Sequence, residues 1–111
     1  MPVENLTPPE KQLALIVRAL LTMPKILILD EATNAMSSAL ERQTHERMLA
    51  NVVDNSTTIV TVTHRLKNLL YYDRILVVDN GVIVEDDEPR ALLCKPMGFF
   101  SALWRASEKD T

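Results

Sequence analysis

Residues 25–33 read KILILDEAT, an apolar run that ends abruptly in two adjacent carboxylates, Asp30 and Glu31. A run of about four to six aliphatic residues without polar alternation is typical of a strand buried on both faces of a parallel sheet. Ligand sites in such sheets lie just beyond the carboxyl ends of the strands. We therefore predict a buried strand at residues 25–29 and expect the two carboxylates to lie at a reactive edge.

The composition indicates one ordinary globular domain or less. The chain has 111 residues, 47% of them hydrophobic and 24% charged, and its net charge of -3 gives no electrostatic case for nucleic acid. No apolar run approaches the roughly 20 residues that a bilayer requires, and the N-terminus lacks the charge and apolar core of a signal peptide. We expect a cytoplasmic location, and a packing role for the single cysteine, Cys94.

The chain contains only two glycines, Gly81 and Gly98, and neither lies in a G-x-x-x-x-G-K-[ST] or G-x-G-x-x-G frame. A phosphate-binding loop needs glycines because backbone N–H groups must approach the phosphates closely, with no Cβ in the way. These 111 residues therefore contain neither of the two common phosphate-binding loops.

The first half of the chain predicts two helices and a second strand. Residues 7–10 (TPPE) favour a helix start, and the helix is predicted to continue to residue 21. Apolar residues cover most of its surface, so we expect other parts of the protein to pack against more than one side of it. A second helix is predicted at residues 38–53, with Glu41 and His45 on its polar, outward side. Residues 57–62 (TTIVTV) are typical of a second buried strand, and His64 follows it.

The second half predicts a short helix at residues 65–71, a strand at 74–79 and a hairpin at Asn80-Gly81, the dipeptide that suits a tight turn with positive φ. The acidic run at residues 85–88 is interpreted as a solvated turn before a short helix. A last amphipathic helix is predicted at residues 99–106, docked by Phe99, Phe100 and Trp104. The alternation of helices and strands predicts an α/β fold.

The two predicted buried strands end in polar groups suited to one reaction. Asp30 and Glu31 follow the first strand, and His64 follows the second. In a parallel sheet both ends lie at the same edge. One carboxylate there can hold Mg²⁺, the other can orient and deprotonate water, and an imidazole can donate to a phosphate oxygen. Phosphoryl transfer from a nucleotide needs these three roles.

The chain resembles the C-terminal half of an ABC transporter nucleotide-binding domain over residues 5 to about 105, and most of all the multidrug-resistance-associated (C) subfamily. The resemblance rests on several segments in order: residues 26–33 (ILILDEAT) are similar to the Walker B segment, 62–65 (VTHR) to the switch-histidine segment, and 75–85 (ILVVDNGVIVE) with 87–89 and 92–93 to the end of the domain.

The resemblance implies a partial P-loop NTPase (ABC ATPase) sheet with flanking helices and a C-terminal β-hairpin, in a domain at residues 1–107 with a tail at 108–111. It also implies ATP and Mg²⁺ as cofactors, with Asp30 as the Mg²⁺-associated carboxylate, Glu31 as the catalytic base and His64 as the γ-phosphate contact. The implied partner is an ABC transporter subunit or a second nucleotide-binding domain, and the membrane is reached only through that partner.

Two segments depart from the family pattern. Residues 6–10 (LTPPE) stand where the family has L-S-G-G-Q, so Thr7 and Glu10 occupy positions that face nucleotide. Pro8 and Pro9 replace the glycines and lack N–H groups, and the carboxylate of Glu10 repels a triphosphate. Ser37 stands where the family usually has aspartate. Because the Walker A half also lies outside these residues, we expect no ATP hydrolysis by the 111 residues alone.

Other interpretations remain open on the sequence. The chain is alternatively a non-catalytic interaction or regulatory protein that docks on a full transporter through its exposed sheet edge and its apolar first helix. A third interpretation is an unrelated metal-assisted phosphohydrolase that uses Asp30, Glu31 and His64. A nonfunctional remnant or an incomplete gene model is a further alternative.

Overall fold

The computed structural model describes residues 5–108, with residues 51–55 described as backbone only. The chain divides after His64 into two compact units, and each has a hydrophobic core of its own. No helix in the described part of the chain combines the length and the apolarity needed to cross a bilayer.

The first unit contains helix α1 (Pro8–Leu21), strand β1 (Ile26–Asp30), helix α2 (Ser38–Asn55) and strand β2 (Thr58–Val62). Local signals set the helix ends: α1 begins as predicted, whereas α2 extends two residues beyond its predicted end at residue 53. Thr7 is the N-cap of α1, whose first turn contains the two prolines, Ser37 is the N-cap of α2, and a left-handed Ser56 ends α2. β1 and β2 pair in parallel, with Asp30 opposite Val62.

The core of this unit lies on one side of the two-stranded sheet. Burial alternates along β1, so that Leu29 is 6% exposed and Ile28 is 67% exposed. β2 shows the same alternation between half-buried and exposed residues. The prediction that both strands are buried on both faces is therefore wrong for the described residues, because the helices cover one face only. The core residues are Ile16, Leu27, Leu29, Met36 and Met48.

Helix α1 is also covered on one side only. Ile16 is its one residue that is buried among those described, whereas Leu15, Val17 and Leu21 are exposed. The apolar composition of this helix predicts cover on more than one side, and the described residues do not supply it.

The second unit begins with a 3-10 helix (Leu66–Tyr71) and continues with the hairpin strands β3 (Ile75–Asp79) and β4 (Val82–Asp87), α3 (Pro89–Leu93) and α4 (Phe99–Glu108). The hairpin turn has positive φ at Asn80 (50°) and Gly81 (76°), as the dipeptide predicts. The core of the second unit consists of Leu66, Ile75, Val77, Leu92 and Phe100.

Two expectations for this unit need correction. The acidic run is not a turn, because β4 continues through Asp87. Asp86 accepts two hydrogen bonds of 2.6 Å from Arg74, which hold the pKa of Asp86 below its usual range, and Glu85 accepts one of 2.6 Å from the backbone N–H of Phe100 at the start of α4. Cys94 is exposed and does not pack in the core.

The hydrophobic face of α4 is confirmed in part. Phe100 is buried, and the half-buried Trp104 lies against it with ring centroids 6.2 Å apart, whereas Phe99 is exposed. The last helix therefore docks through two of the three predicted aromatic residues.

Candidate functional site

Parallel pairing of β1 and β2 brings the predicted reactive residues together. The strands are in register from Ile26 with Thr58 to Asp30 with Val62, and the N–H of Glu31 donates to the carbonyl of Val62 at 2.8 Å. Beyond this last bond, Nε2 of His64 lies 3.3 Å from Oε1 of Glu31. A carboxylate and an imidazole from two separate strands thus meet at one edge of the sheet.

The site is open to solvent. The His64 side chain is 93% exposed and the Glu31 side chain is 42% exposed, so both can be reached by a ligand. An exposed pair of this kind contributes little to stability, about 0–1 kcal/mol, so stability gives no reason for this arrangement. Its chemistry is that of a carboxylate able to accept a proton and an imidazole able to donate a hydrogen bond to an anion.

Asp30 is the last residue of β1 and is exposed, next to this pair in the chain. Among the side chains that the structure describes, at residues 5–50 and 56–108, no group of three or more acidic, histidine or cysteine residues is placed to hold a metal ion. One exposed carboxylate nevertheless fits Mg²⁺, which proteins usually bind through one or two carboxylates together with water and substrate phosphates. The donor set therefore fits a metal that arrives with a phosphate ligand.

Glu31 has a left-handed backbone, with φ of 53°. Such a conformation is uncommon for a residue other than glycine and costs about 1–3 kcal/mol, so it persists only where the surroundings hold it. The N–H of Glu31 donates to Val62, and its carbonyl accepts a weak hydrogen bond of 3.4 Å from Asn34. The turn after β1 is thus a strained segment at the residue with the predicted catalytic role.

A buried polar cluster lies next to this turn and was missed from the sequence. Nε2 of His45 is 3.3 Å from Oγ1 of Thr33 and 3.9 Å from Oε1 of Glu41. Glu41 and His45 are 1% and 2% exposed, so the prediction that they lie on the outward side of α2 is wrong. The sequence did carry a signal: Glu41, Thr44 and His45 lie seven, four and three residues before the apolar Met48, the spacing of one helix face, and these four are the residues of α2 that are buried among those whose side chains are described.

Gln12 of α1 contacts the same turn from outside, which the sequence also did not indicate. Its Nε2 donates to Oδ1 of Asn34 at 2.6 Å, and its Oε1 accepts from the N–H of Ala35 at 2.9 Å. Both polar atoms of the Gln12 amide are therefore bound to the segment that follows Glu31.

Thr7 and Glu10 form a separate cluster at the start of α1. Oε1 of Glu10 accepts hydrogen bonds from the Thr7 N–H at 2.9 Å and the Thr7 hydroxyl at 2.8 Å, and the Glu10 N–H donates to that hydroxyl at 3.4 Å. The bond from the Thr7 N–H is the main cause that holds the pKa of Glu10 below its usual range. Within the described residues no hydrogen bond or ion pair joins this capping box to Glu31 or His64.

The fold is that of an α/β protein whose candidate site lies at the ends of two parallel strands. No protein-family model matches the sequence. Multidrug resistance protein mrp-7 of Caenorhabditis elegans is 38% identical over 108 residues, which are 96% of this chain and 7% of that protein. ATP-binding cassette sub-family B member 6 of Mesocricetus auratus is 41% identical over 100 residues, 90% of this chain and 12% of that protein.

A solved bacterial Atm1-family ABC exporter with ATP bound matches 91% of this chain and 17% of its own, with a TM-score of 0.76 and 30% identity. The chain is thus a homologue of ABC transporter ATP-binding proteins, MRP-type proteins among them, and the predicted resemblance and α/β fold are confirmed. The chain spans only a small part of its relatives: 7% of the Caenorhabditis elegans protein and 12% of the Mesocricetus auratus protein. It also spans 6% of an ABC transporter ATP-binding protein/permease of Saccharomyces cerevisiae.

Proposed function

We propose that residues 1–107 are the Walker B and switch-histidine part of an ABC-type ATP-binding domain. In this proposal Asp30 associates with Mg²⁺, Glu31 is the catalytic base and His64 contacts the γ-phosphate. The observation that carries the proposal is the 3.3 Å contact between Glu31 and His64 at the open edge of the parallel strands. The similarity to ABC transporter ATP-binding proteins supports it, since it covers 93% of the chain and therefore both segments that form this contact.

The chemistry of the three side chains follows from their positions. Bound Mg-ATP supplies the electrophilic phosphorus. The half-exposed carboxylate of Glu31 is placed to accept hydrogen bonds from a water molecule and to take its proton as the water attacks. The exposed ring of His64 is placed to donate a hydrogen bond to an anionic oxygen where charge accumulates.

The proposal includes a partner chain or further sequence of the same protein, because these 111 residues contain neither of the two common phosphate-binding loops. Pro8 and Pro9 lie in the first turn of α1, where they offer no N–H donors, and the carboxylate of Glu10 is held at the same helix end. A triphosphate at this helix start therefore meets negative charge. We place the segment beside a transporter subunit or a second nucleotide-binding domain, at the cytoplasmic face of a membrane.

A segment exchange tests the catalytic assignment. Residues 25–64 replace the matching segment of an active ABC transporter homologue, and ATP hydrolysis is measured in membranes. The exchange is expected to retain hydrolysis, and Glu31→Gln is expected to reduce it by about 100-fold or more, since general-base contributions are about 10²–10⁴. Glu46→Gln, at an exposed glutamate of α2, is the matched control. Hydrolysis that is unaffected by Glu31→Gln would reject the assignment.

Isothermal titration tests the dependence on a partner. The purified 111-residue chain is titrated with Mg-ATP, and no saturable binding at micromolar concentration is expected. Micromolar binding together with Glu31-dependent turnover would contradict this part of the proposal.

A second candidate function, docking on a full transporter without catalysis, is favoured by the exposed apolar residues of the sheet. Ile26, Ile28 and Val60 lie on the face of the two strands that the helices leave uncovered. Docking predicts that the chain co-purifies with a transporter and that neither Glu31→Gln nor His64→Ala abolishes this association. That result, together with no ATP hydrolysis by the exchanged segment, would favour docking over catalysis.

A further inference from the structure

The side chain of Gln12 bridges two segments that are far apart in sequence. It is half-buried on α1, and its hydrogen bonds to Asn34 and Ala35 span 22 and 23 residues. The bonds use the donor and the acceptor of one amide group, so they fix the orientation of the side chain as well as its position. This pair of bonds is called the Gln12 clamp below.

The clamp holds a turn that needs support. Glu31 occupies a left-handed conformation, and the hydrogen bond from the Asn34 N–H to the Glu31 carbonyl is long, at 3.4 Å. Inside the turn, the Met36 N–H donates to the Thr33 carbonyl at 3.1 Å. On the other side of the turn, Thr33 contacts buried His45. The clamp thus supplies hydrogen bonds from α1 to Asn34 and Ala35, three and four residues after Glu31.

We propose that Gln12 is a positioning residue for Glu31: by binding Asn34 and Ala35 it keeps the turn after β1 in the shape that holds the Glu31 carboxylate against His64. The functional meaning of this inference rests on the proposed role of Glu31. Without the clamp, the turn is expected to relax toward negative φ at Glu31, because the two hydrogen bonds that Gln12 makes to Asn34 and Ala35 no longer oppose the strained conformation.

The clamp also joins the turn to the start of α1. Gln12 lies one residue beyond Lys11, whose N–H donates to the Thr7 carbonyl at 2.9 Å in the first turn of the helix, and the capping box of Thr7 and Glu10 fixes that turn. Hydrogen bonds thus connect the first turns of α1 with the turn that follows Glu31.

Two substitutions of similar size separate hydrogen bonding from packing. Gln12→Met keeps the length of the side chain but removes both bonds. Gln12→Glu keeps an acceptor for the Ala35 N–H, and its second oxygen accepts from the Asn34 amide once that amide is turned over. Gln43→Met, at an exposed glutamine of α2, is the matched control.

NMR of the full 111-residue chain provides the measurement, without nucleotide. Three signals are followed: the strong intraresidue NOE between amide and α protons that marks positive φ at Glu31, the NOE between the Glu31 side chain and the His64 ring, and amide exchange of Ala35. Gln12→Met is expected to weaken both NOEs and to speed exchange at Ala35 by about tenfold, the effect of losing one ordinary hydrogen bond. Gln12→Glu and Gln43→Met are expected to retain all three.

Retention of both NOEs in Gln12→Met would overturn the proposal, as would loss of both in Gln12→Glu with folding intact. If Gln12→Met does not fold, the wild-type chain still provides a test, since its Gln12 side-chain amide protons must show NOEs to Asn34, and their absence would refute the clamp. Because no nucleotide is used here, hydrolysis that is unaffected by Glu31→Gln in the segment exchange would reject the catalytic role of Glu31 and leave this NMR result unaffected.

Discussion

Leu29 and Ile28 are neighbours in β1 whose side chains lie on opposite faces of the strand. Leu29 is packed in the core with Ile16, Met36 and Met48, whereas Ile28 is mostly exposed. Truncation of a buried leucine to alanine costs about 2–5 kcal/mol. A unit of this length has a total stability of about 3–10 kcal/mol, at about 0.05–0.15 kcal/mol per residue. Leu29→Ala is therefore expected to remove a large part of the free energy of unfolding.

Ile28→Ala is the matched control. It removes an aliphatic side chain from the same strand, but from the exposed face, so the expected cost is below about 1 kcal/mol and arises mainly from lower β-propensity. Unfolding in urea is followed through the methyl resonances of Met36 and Met48, which report on this core, and free energies come from linear extrapolation.

The comparison of the two variants has one refuting outcome. If Ile28→Ala lowers the free energy of unfolding as much as Leu29→Ala, the face that carries Ile28 is covered in the folded chain. The reasoning that the helices bury only one face of the sheet would then be wrong, and a self-associating chain would be the first explanation to examine by sedimentation.

Three further predictions concern helix starts. Thr7→Ala is expected to lower the free energy of unfolding by about 1 kcal/mol, as an N-cap loss does, and urea titration measures it. Because the pKa of folded Glu10 lies below its ordinary 4.5, this carboxylate stabilises the fold above that pH and loses the effect as the pH falls through the folded value. Glu10→Gln should therefore flatten the fall in Tm on acidification, and an unchanged fall would contradict this. Gly98→Ala places a Cβ 2.6 Å from Oε2 of Glu85, so the carboxylate must shift; this weakens the hydrogen bond that its Oε1 accepts from the Phe100 N–H, at an expected cost of up to about 1 kcal/mol. The same change in a Glu85→Ala background should cost less, and an equal cost would show that the Glu85 contact is irrelevant.

The secondary structure was predictable because its signals are local. The Thr7 cap, the apolar run before Asp30 and the Asn80-Gly81 turn each act within a few residues, and the structure has an element boundary at each of them. The position of the candidate site was predictable for the same reason, since Asp30 ends one strand, Glu31 follows it and His64 comes shortly after the other.

Burial was harder to predict because it depends on neighbours that are distant in sequence. An apolar strand indicates burial, but the number of covered faces depends on how many layers pack around it, and Ile28 is exposed for this reason. The polarity of Glu41 and His45 predicted a surface position for both. In the structure both are buried, and Nε2 of the His45 ring lies near both the Glu41 carboxylate and the Thr33 hydroxyl.

The order of residues alone was sufficient to place carboxylates and a histidine at strand ends, because strand formation and termination are local properties of the chain. The 3.3 Å contact between Glu31 and His64, the left-handed turn at Glu31 and the Gln12 clamp required the folded chain. The contact and the turn depend on the parallel pairing of two strands that are about 30 residues apart, and the clamp depends on a side chain of α1. No short stretch of sequence specifies such distant partners.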